Sequence, residues 1–203
     1  MTTAPAQACD RRAHVIDAAT DLFWRHGYDG VSIGDIVEAT GMNRYALYQA
    51  FGGKKDIFIA ALKDYVAQSA QMIQEFLERP ESDPMDTVRD AIVAKMLDPE
   101  MFPAGCLICT TAVDVAAKDE DVAAMMAEGN QKIGSLFAAA YARAQEEGRA
   151  SRQMTPEAFS EMACAFYFST GMQARMGRSR EELLEALEGV INGLRYRPKT
   201  VDP

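Results

Sequence analysis

Residues 31–51 have the sequence VSIGDIVEATGMNRYALYQAF, and this stretch decides the fold. Ser32, followed three residues later by Asp35, has the pattern of a capping box and predicts the start of a short helix. Gly41 ends that helix, and Asn43 is suited to cap a second one. Two short helices joined by a glycine-containing turn are typical of a helix-turn-helix unit.

The spacing of apolar residues divides this unit into an inner and an outer face. A helix in the major groove of DNA recognises base edges with exposed polar side chains. The same pattern also fits an ordinary helical hairpin with a polar surface, so the residues alone leave both interpretations open. The predicted inner side chains are Ile33, Ile36, Val37, Ala39, Leu47 and Phe51, and the predicted outer ones are Asn43, Arg44, Tyr45, Tyr48 and Gln49.

The rest of the chain is rich in helix-forming residues and predicts an all-α protein of about nine helices. Prolines and glycines mark the expected ends of the helices. Outside the unit just described, helices are predicted over about 12–26, 54–79, 84–97, 105–118, 121–147, 156–176 and 179–195.

The composition is that of an ordinary globular protein, with 48% hydrophobic and 25% charged residues in a chain of 203. No apolar run approaches the ~20 residues of a membrane span, and no export signal is visible. Four cysteines and two histidines favour a reduced, cytoplasmic protein without metal, cofactor or membrane partner. The net charge of −9 lies entirely in residues 64–203, because residues 1–63 have seven basic and seven acidic side chains. This asymmetry suggests two tasks in one chain.

Residues 11–62 resemble, without a gap, the N-terminal domain of the TetR family of bacterial repressors. The resemblance is most specific at Tyr48, Phe51 and Lys54, which form a Tyr-x-x-Phe-x-x-Lys pattern. It implies a homodimeric transcriptional repressor that binds a pseudo-palindromic double-stranded DNA operator and a small-molecule inducer. We therefore expect a helix-turn-helix DNA-binding domain over residues 10–53 and a ligand-binding and dimerisation domain over 54–197.

The resemblance also implies roles for individual residues of the DNA-binding domain. Lys54 matches the family lysine that contacts phosphate, and Ser32 places a helix N-terminus at the DNA backbone. Arg11 and Arg12 would make few minor-groove contacts from a short N-terminal arm. As alternatives from the residues alone, Tyr48 could simply pack on Lys54, and Lys55 is expected to be a solvated charge. The predicted base-reading residues are Asn43, Arg44, Tyr45, Tyr48 and Gln49.

The C-terminal part contains many methionines and aromatic residues that could surround one adaptable apolar cavity or simply fill the core. The candidate pocket residues are Met96, Phe102, Cys109, Met126, Phe137, Tyr141, Phe166 and Met172. Apolar stripes on the last two helices are the candidate dimer interface, because a chain with one DNA-reading helix needs a partner to read two half-sites. The interface residues are Phe159, Met162, Phe166, Leu183, Leu187, Val190, Ile191 and Leu194.

Cys106 and Cys109 form a Cys-x-x-Cys pair without the other ligands of a zinc site. Cys106 follows a predicted helix start, where the helix dipole lowers the pKa of a thiol. A thiol-based sensor of oxidants or electrophiles that acts through Cys106 is therefore an alternative to simple packing of small residues. A helical enzyme or carrier that retains the helix-turn-helix is a further alternative, although no catalytic set is recognisable and we expect no enzyme.

Overall fold

The computed structural model describes residues 4–80, 82–94 and 106–196. Within them the chain forms nine α-helices and one π-helical turn, and the only β-type pairing among these residues is an isolated bridge between Ala150 and Arg195. The all-α prediction is confirmed. The helices are α1 Ala4–His26, α2 Ile33–Thr40, α3 Arg44–Phe51, α4 Lys54–Leu77, α5 Pro84–Val93, α6 Leu107–Thr111, α7 Glu120–Glu146, α8 Pro156–Arg175 and α9 Arg180–Leu194, and the π-helical turn is Ala112–Ala116.

The predicted boundaries agree with these helices except at three places. Helix α1 begins at Ala4, earlier than the predicted residue 12. The single helix predicted over 105–118 consists of α6 and the π-helical turn. Helix α5 ends at Val93, and residues 95–97 of the predicted helix 84–97 lie outside the described residues.

The chain packs as two compact units. The first unit consists of Met1–Gln68 and Cys106–Gly129, and the second of Ser69–Gly105 and Asn130–Pro203. The first unit therefore contains the three N-terminal helices and the first part of α4, together with α6, the π-helical turn and the start of α7. The predicted division between residues 53 and 54 does not coincide with a boundary between these packing units. As a division of function it stays a prediction.

An aromatic cluster joins α1 to α4 in the first unit. The ring of Phe23 meets the ring of Phe58 edge-on at 4.8 Å between centroids, and Tyr28 lies 4.7 Å from Phe58. Edge-to-face aromatic pairs add about 0.5–1.5 kcal/mol beyond the burial of their area. The cluster supports the turn that connects α1 to the helix-turn-helix.

The second unit is built on stacked aromatic rings and on ion pairs between its helices. Tyr141 on α7 stacks on Phe159 of α8 with 4.1 Å between centroids and 8° between planes. Arg195, after the end of α9, binds Asp83 at 2.9 Å and Asp86 at 2.6 Å near the start of α5. Among the described residues, no helix combines the length and the apolar character needed to cross a membrane.

Candidate DNA-binding interface

The start of α2 is held by a capping box, as its sequence predicts. The Ser32 hydroxyl oxygen accepts a hydrogen bond from the backbone N–H of Asp35 at 3.2 Å. In return, the Asp35 carboxylate accepts one from the Ser32 N–H at 2.6 Å. This hydrogen bond from the Ser32 backbone lowers the pKa of Asp35, because it favours the charged form. At the other end of α2, Gly41 adopts the left-handed conformation with φ +67°, which turns the chain toward α3.

Asn43 caps α3, as its sequence predicts. Its side-chain oxygen accepts a hydrogen bond from the Ala46 N–H at 2.8 Å. One acceptor site of that oxygen is used at the helix start, and the amide nitrogen stays available as a donor to a base or phosphate. Ser32 is committed to a cap in the same way. One polar atom of each side chain thus stabilises the scaffold, and the DNA contacts predicted for the two residues stay predictions.

The inner face of the helix-turn-helix is smaller than predicted. Ile36 and Leu47 are fully buried and form its centre. Ile33, Val37 and Phe51 are half-buried at its edge. The prediction is wrong for Ala39, which is exposed, because it lies on the solvent side of α2 rather than above α3.

The outer side of α3 presents a reading face, which we define as Arg44, Tyr45, Tyr48 and Gln49. All four side chains are exposed, and Tyr45 and Tyr48 have 74% and 45% of their surface accessible. Tyrosine combines a large apolar ring with a polar hydroxyl group, and this combination suits an interaction surface. Phenol, amide and guanidinium groups supply donors and acceptors for base edges in the major groove.

Arg44 lies beside the first turn of α2. A Cβ atom built on Gly34 would stand 4.0 Å from the Arg44 Nη2 atom and 3.2 Å from the Ser32 hydroxyl. A cation next to the positive end of a helix dipole is unfavourable unless an anion lies between them. This corner is therefore suited to a phosphate group, which backbone N–H groups and a guanidinium both bind.

Lys54 begins α4 and lies over an aromatic ring. Its ammonium nitrogen is 4.2 Å from the centroid of the Tyr28 ring. The aromatic ring under Lys54 is thus that of Tyr28. A cation–π contact of this kind restricts the lysine while one side of its ammonium stays open to water.

Lys55 is not a solvated charge, contrary to expectation. Its ammonium nitrogen binds the Asp119 carboxylate at 2.8 Å and the Asp121 carboxylate at 2.7 Å. These hydrogen bonds raise the pKa of Lys55 and, in return, the bond from Lys55 lowers the pKa of Asp119. We call this group the Lys55 clamp. It ties the start of α4 to the start of α7, and the acidic run at residues 119–121 was its only signal in the sequence.

Arg12 does not act as part of a free N-terminal arm. Its Nη1 atom donates a hydrogen bond to the backbone oxygen of Ala50 at 2.7 Å. Its guanidinium carbon lies 4.3 Å from the centroid of the Phe51 ring. The side chain is therefore attached to the C-terminal end of α3.

The predicted pocket residues within the described part of the chain are divided between the two units. Cys109 and Met126 belong to the first unit, whereas Phe137, Tyr141, Phe166 and Met172 belong to the second. Phe137 and Tyr141 are completely buried and packed by aromatic neighbours, so they are core residues rather than cavity walls. Met172 is on the surface with 49% exposure. Met96 and Phe102 lie outside the described residues.

Half of the predicted dimer residues are buried inside their own chain. Phe159, Leu183, Leu187 and Ile191 have between 0% and 4% of their surface accessible without any partner present. They are corrected to core residues, because their side chains fill the space between helices of one protomer and cannot reach a second. The other four predicted residues are half-buried at the edge of this core: Met162, Phe166, Val190 and Leu194.

Cys106 stands directly before α6, at the helix start that the sequence predicts. Its thiol is buried, with 3% of the residue accessible, and the Tyr65 hydroxyl group lies 3.9 Å from its sulfur. Cys164 is also buried, and desolvation raises its pKa to about 11, which keeps that thiol protonated. No group of three or more His, Cys, Asp and Glu side chains suited to a metal ion occurs in the part of the chain that the structure describes.

An all-α fold with an exposed reading face on a capped helix-turn-helix is that of a DNA-binding transcriptional regulator. Residues 15–61 match the family model of bacterial regulatory proteins of the tetR family, and residues 85–190 match the Tetracyclin repressor-like C-terminal domain. The chain belongs to the TetR family.

Relatives of known sequence and structure agree with this assignment. The transcriptional regulator YezE of Bacillus subtilis is 29% identical over 146 residues, which are 70% of this chain and 74% of the relative. The transcriptional repressor ComR of Escherichia coli is 26% identical over 87% of this chain and 84% of its own. A cysteine mutant of the regulator CifR, solved with 26-bp double-strand operator DNA, has a TM-score of 0.74 and 26% identity, covering 88% of this chain and 94% of that chain. The reduced form of E. coli NemR has the same fold, with a TM-score of 0.83 at 20% identity over 94% of this chain and 100% of that chain.

Proposed function

We propose that this protein is a cytoplasmic, homodimeric repressor that leaves its operator when a small molecule binds to its C-terminal part. It acts as a DNA-binding regulator and not as an enzyme. The observation that supports this proposal is the exposed reading face on α3, flanked by Lys54 at the start of α4. The likeness to the named repressor ComR and to CifR bound to operator DNA supports the same conclusion.

The geometry favours different tasks for the exposed side chains. The side chains of Tyr45, Tyr48 and Gln49 are exposed on α3 and take no part in the helix caps. They are therefore suited to contact base edges. Arg44 lies beside the N-terminus of α2, where a phosphate would balance its charge. Lys54 is suited to a second phosphate. Phosphate contacts fix the register of the protein on DNA, and base contacts supply the specificity.

A homodimer is required if the operator has two half-sites, since each chain has one reading helix. The half-buried residues of α8 and α9 are the candidate interface, with Met162 and Phe166 on α8 and Leu194 on α9. In one state of the dimer the two reading helices fit the operator, and in another their spacing is wrong. An inducer releases the DNA if it binds the second state more tightly than the first.

The experiment is a selection of duplex DNA from a random pool by the wild-type protein, followed by salt titration of binding to the selected duplex. We expect a preferred sequence with two related half-sites and a fall in affinity with rising salt that reflects several phosphate contacts. Lys63→Ala is the charge-matched control for Lys54→Ala, because Lys63 is exposed on the same helix. A protein that selects no sequence, or one whose binding is indifferent to Lys54→Ala, would contradict the proposal.

A second trigger is favoured by one observation, the Tyr65 hydroxyl near the Cys106 sulfur. A hydroxyl donor stabilises a thiolate, and an adduct on a buried thiol has to displace its neighbours in the DNA-binding unit. Under this alternative a small electrophile releases the selected duplex from wild type but not from Cys106→Ser. Equal release from both proteins would return Cys106 to a packing role.

A further inference from the structure

Helix α3 depends on its surroundings for its position. It has eight residues, and Leu47 is its only fully buried side chain. Isolated helices of this length are unstable in water, because the cost of the first turn is not recovered over so few hydrogen bonds. The reading face is therefore only as well ordered as the contacts that hold the two ends of α3.

The N-terminal end of α3 is held by its own cap, but the C-terminal end needs help from another helix. Asn43 satisfies a backbone donor at the start. In the last turn, α3 has no basic side chain to balance the negative end of its dipole. The Gly52 N–H donates to the Tyr48 carbonyl, which leaves the Ala50 carbonyl to find a partner from elsewhere.

Arg12 on α1 is that partner. Its guanidinium donates to the Ala50 oxygen at 2.7 Å and lies on the Phe51 ring at 4.3 Å. One planar cation thus satisfies an orphan carbonyl, neutralises the helix dipole and packs on an aromatic face. Tyr48 and Gln49 of the reading face belong to this same last turn.

We propose that Arg12 is a positioning residue for the reading face, and that it acts through the C-terminal end of α3 and not through DNA. This inference rests on the proposed DNA-binding function. Arg12 holds the last turn of α3 at a fixed distance from α1, so that Tyr48 and Gln49 meet the base edges without first having to be ordered. Its positive charge interacts with the negative end of the α3 dipole and does not add a phosphate contact.

The experiment compares Arg12→Gln with Arg25→Gln on the duplex that the wild-type protein selects. Arg25 is the matched control, since it lies on the same helix, is exposed and pairs with Asp21 at 2.7 Å instead of with α3. We expect Arg12→Gln to weaken binding by on the order of tenfold, from the lost dipole and cation–π contacts. The slope of log affinity against log salt should stay at the wild-type value. Arg25→Gln should leave both quantities unchanged.

A second measurement separates this inference from the proposed function. Amide hydrogen exchange in the DNA-free protein should show faster exchange in the last turn of α3 for Arg12→Gln, with unchanged exchange in α4. Arg12→Lys keeps the charge but lacks the planar group, so it should lie between wild type and Arg12→Gln in both measurements. This exchange test holds even for a protein that selects no DNA.

Three outcomes would overturn the inference. A fall in salt slope of about one unit for Arg12→Gln would make Arg12 a phosphate contact. If Arg12→Gln changed neither the DNA affinity nor the amide exchange in α3, the contacts of Arg12 with Ala50 and Phe51 would have no effect on the reading face. Faster exchange throughout the first unit would make Arg12 a general stabilising residue, without a specific effect on the reading face.

Discussion

Helix α3 has 8 residues and α9 has 15, and both have large side chains at helical spacing, but the two helices use them in opposite ways. Two aromatic residues of α3, Tyr45 and Tyr48, stay exposed. The apolar stripe of α9 is buried in the core of its own chain, and it consists of Leu183, Leu187 and Ile191. Exposure of an amphipathic aromatic side chain therefore indicates function, whereas an aliphatic stripe indicates packing first.

The largest effect is expected from a charge placed in the α9 stripe. Ile191→Asp buries an unpaired carboxylate and should lower the free energy of unfolding by more than about 4 kcal/mol, which would leave little folded protein. Chemical denaturation followed by circular dichroism measures this change.

The matched control on the same helix is Ala186→Asp, because Ala186 is exposed. It should change the free energy of unfolding by no more than about 0.5 kcal/mol. If Ile191→Asp were a folded monomer, the α9 stripe would be a dimer surface after all and the contrast with α3 would fail.

The next largest effect is expected on the reading face. Tyr48→Ala and Gln49→Ala should each cost about 1–3 kcal/mol of discrimination between the selected duplex and duplexes altered at single base pairs. Their free energy of unfolding and their salt slope should stay close to those of wild type. Competition binding against a set of single-base variants measures the loss. Arg180→Ala, exposed at the start of α9, serves as the control, and a loss of the same size there would remove α3 from its assigned role.

A smaller effect distinguishes two neighbouring lysines. Lys54→Ala should lower the salt slope of operator binding by about one unit, since it removes one phosphate contact. Lys55→Ala should leave that slope unchanged, because its ammonium group is engaged by Asp119 and Asp121. Salt titrations of both variants measure these slopes. If Lys55→Ala lowered the slope as much as Lys54→Ala does, the Lys55 clamp would have to open on DNA.

The smallest effect is the pH dependence of the Lys55 clamp. The pKa of Asp119 is lowered from its ordinary value of 3.8, so its contribution to stability is present above that pH and is lost as the pH falls through the lowered value. Unfolding free energies of wild type and Asp119→Asn should therefore converge in acid and differ at neutral pH. The Asp119 side chain also accepts hydrogen bonds from the backbone N–H groups of Asp121 and Val122 at the start of α7. The same difference at every pH would mean that Asp119 does not act through its charge.

Local chemistry explains why the helix-turn-helix was predictable. The capping box of Ser32 and Asp35 and the Asn43 cap each link residues only three apart, so their partners are visible in the sequence. The exposed reading residues follow from the same periodicity. The exposure of Ala39 was missed, because the width of the inner face depends on how closely the two helices pack.

The site residues of the C-terminal part were less predictable, for a physical reason. Apolar periodicity shows that a helix has a buried face, but it does not show whether the neighbour is the same chain, a ligand or a second copy. Tyr141 and Phe159 illustrate this: one was expected in a pocket and the other in an interface, yet the two rings stack on each other.

The sequence alone determined the all-α class, the helix-turn-helix and the side chains that it exposes, since turn residues, caps and helical period act over a few residues. Only the tertiary structure decided which charged side chains bind partners within the same chain. Arg12 meets Ala50 across 38 residues, and Lys55 meets Asp121 across 66. Nothing local specifies such pairs, because they arise only when packing of the apolar faces brings distant helix ends together.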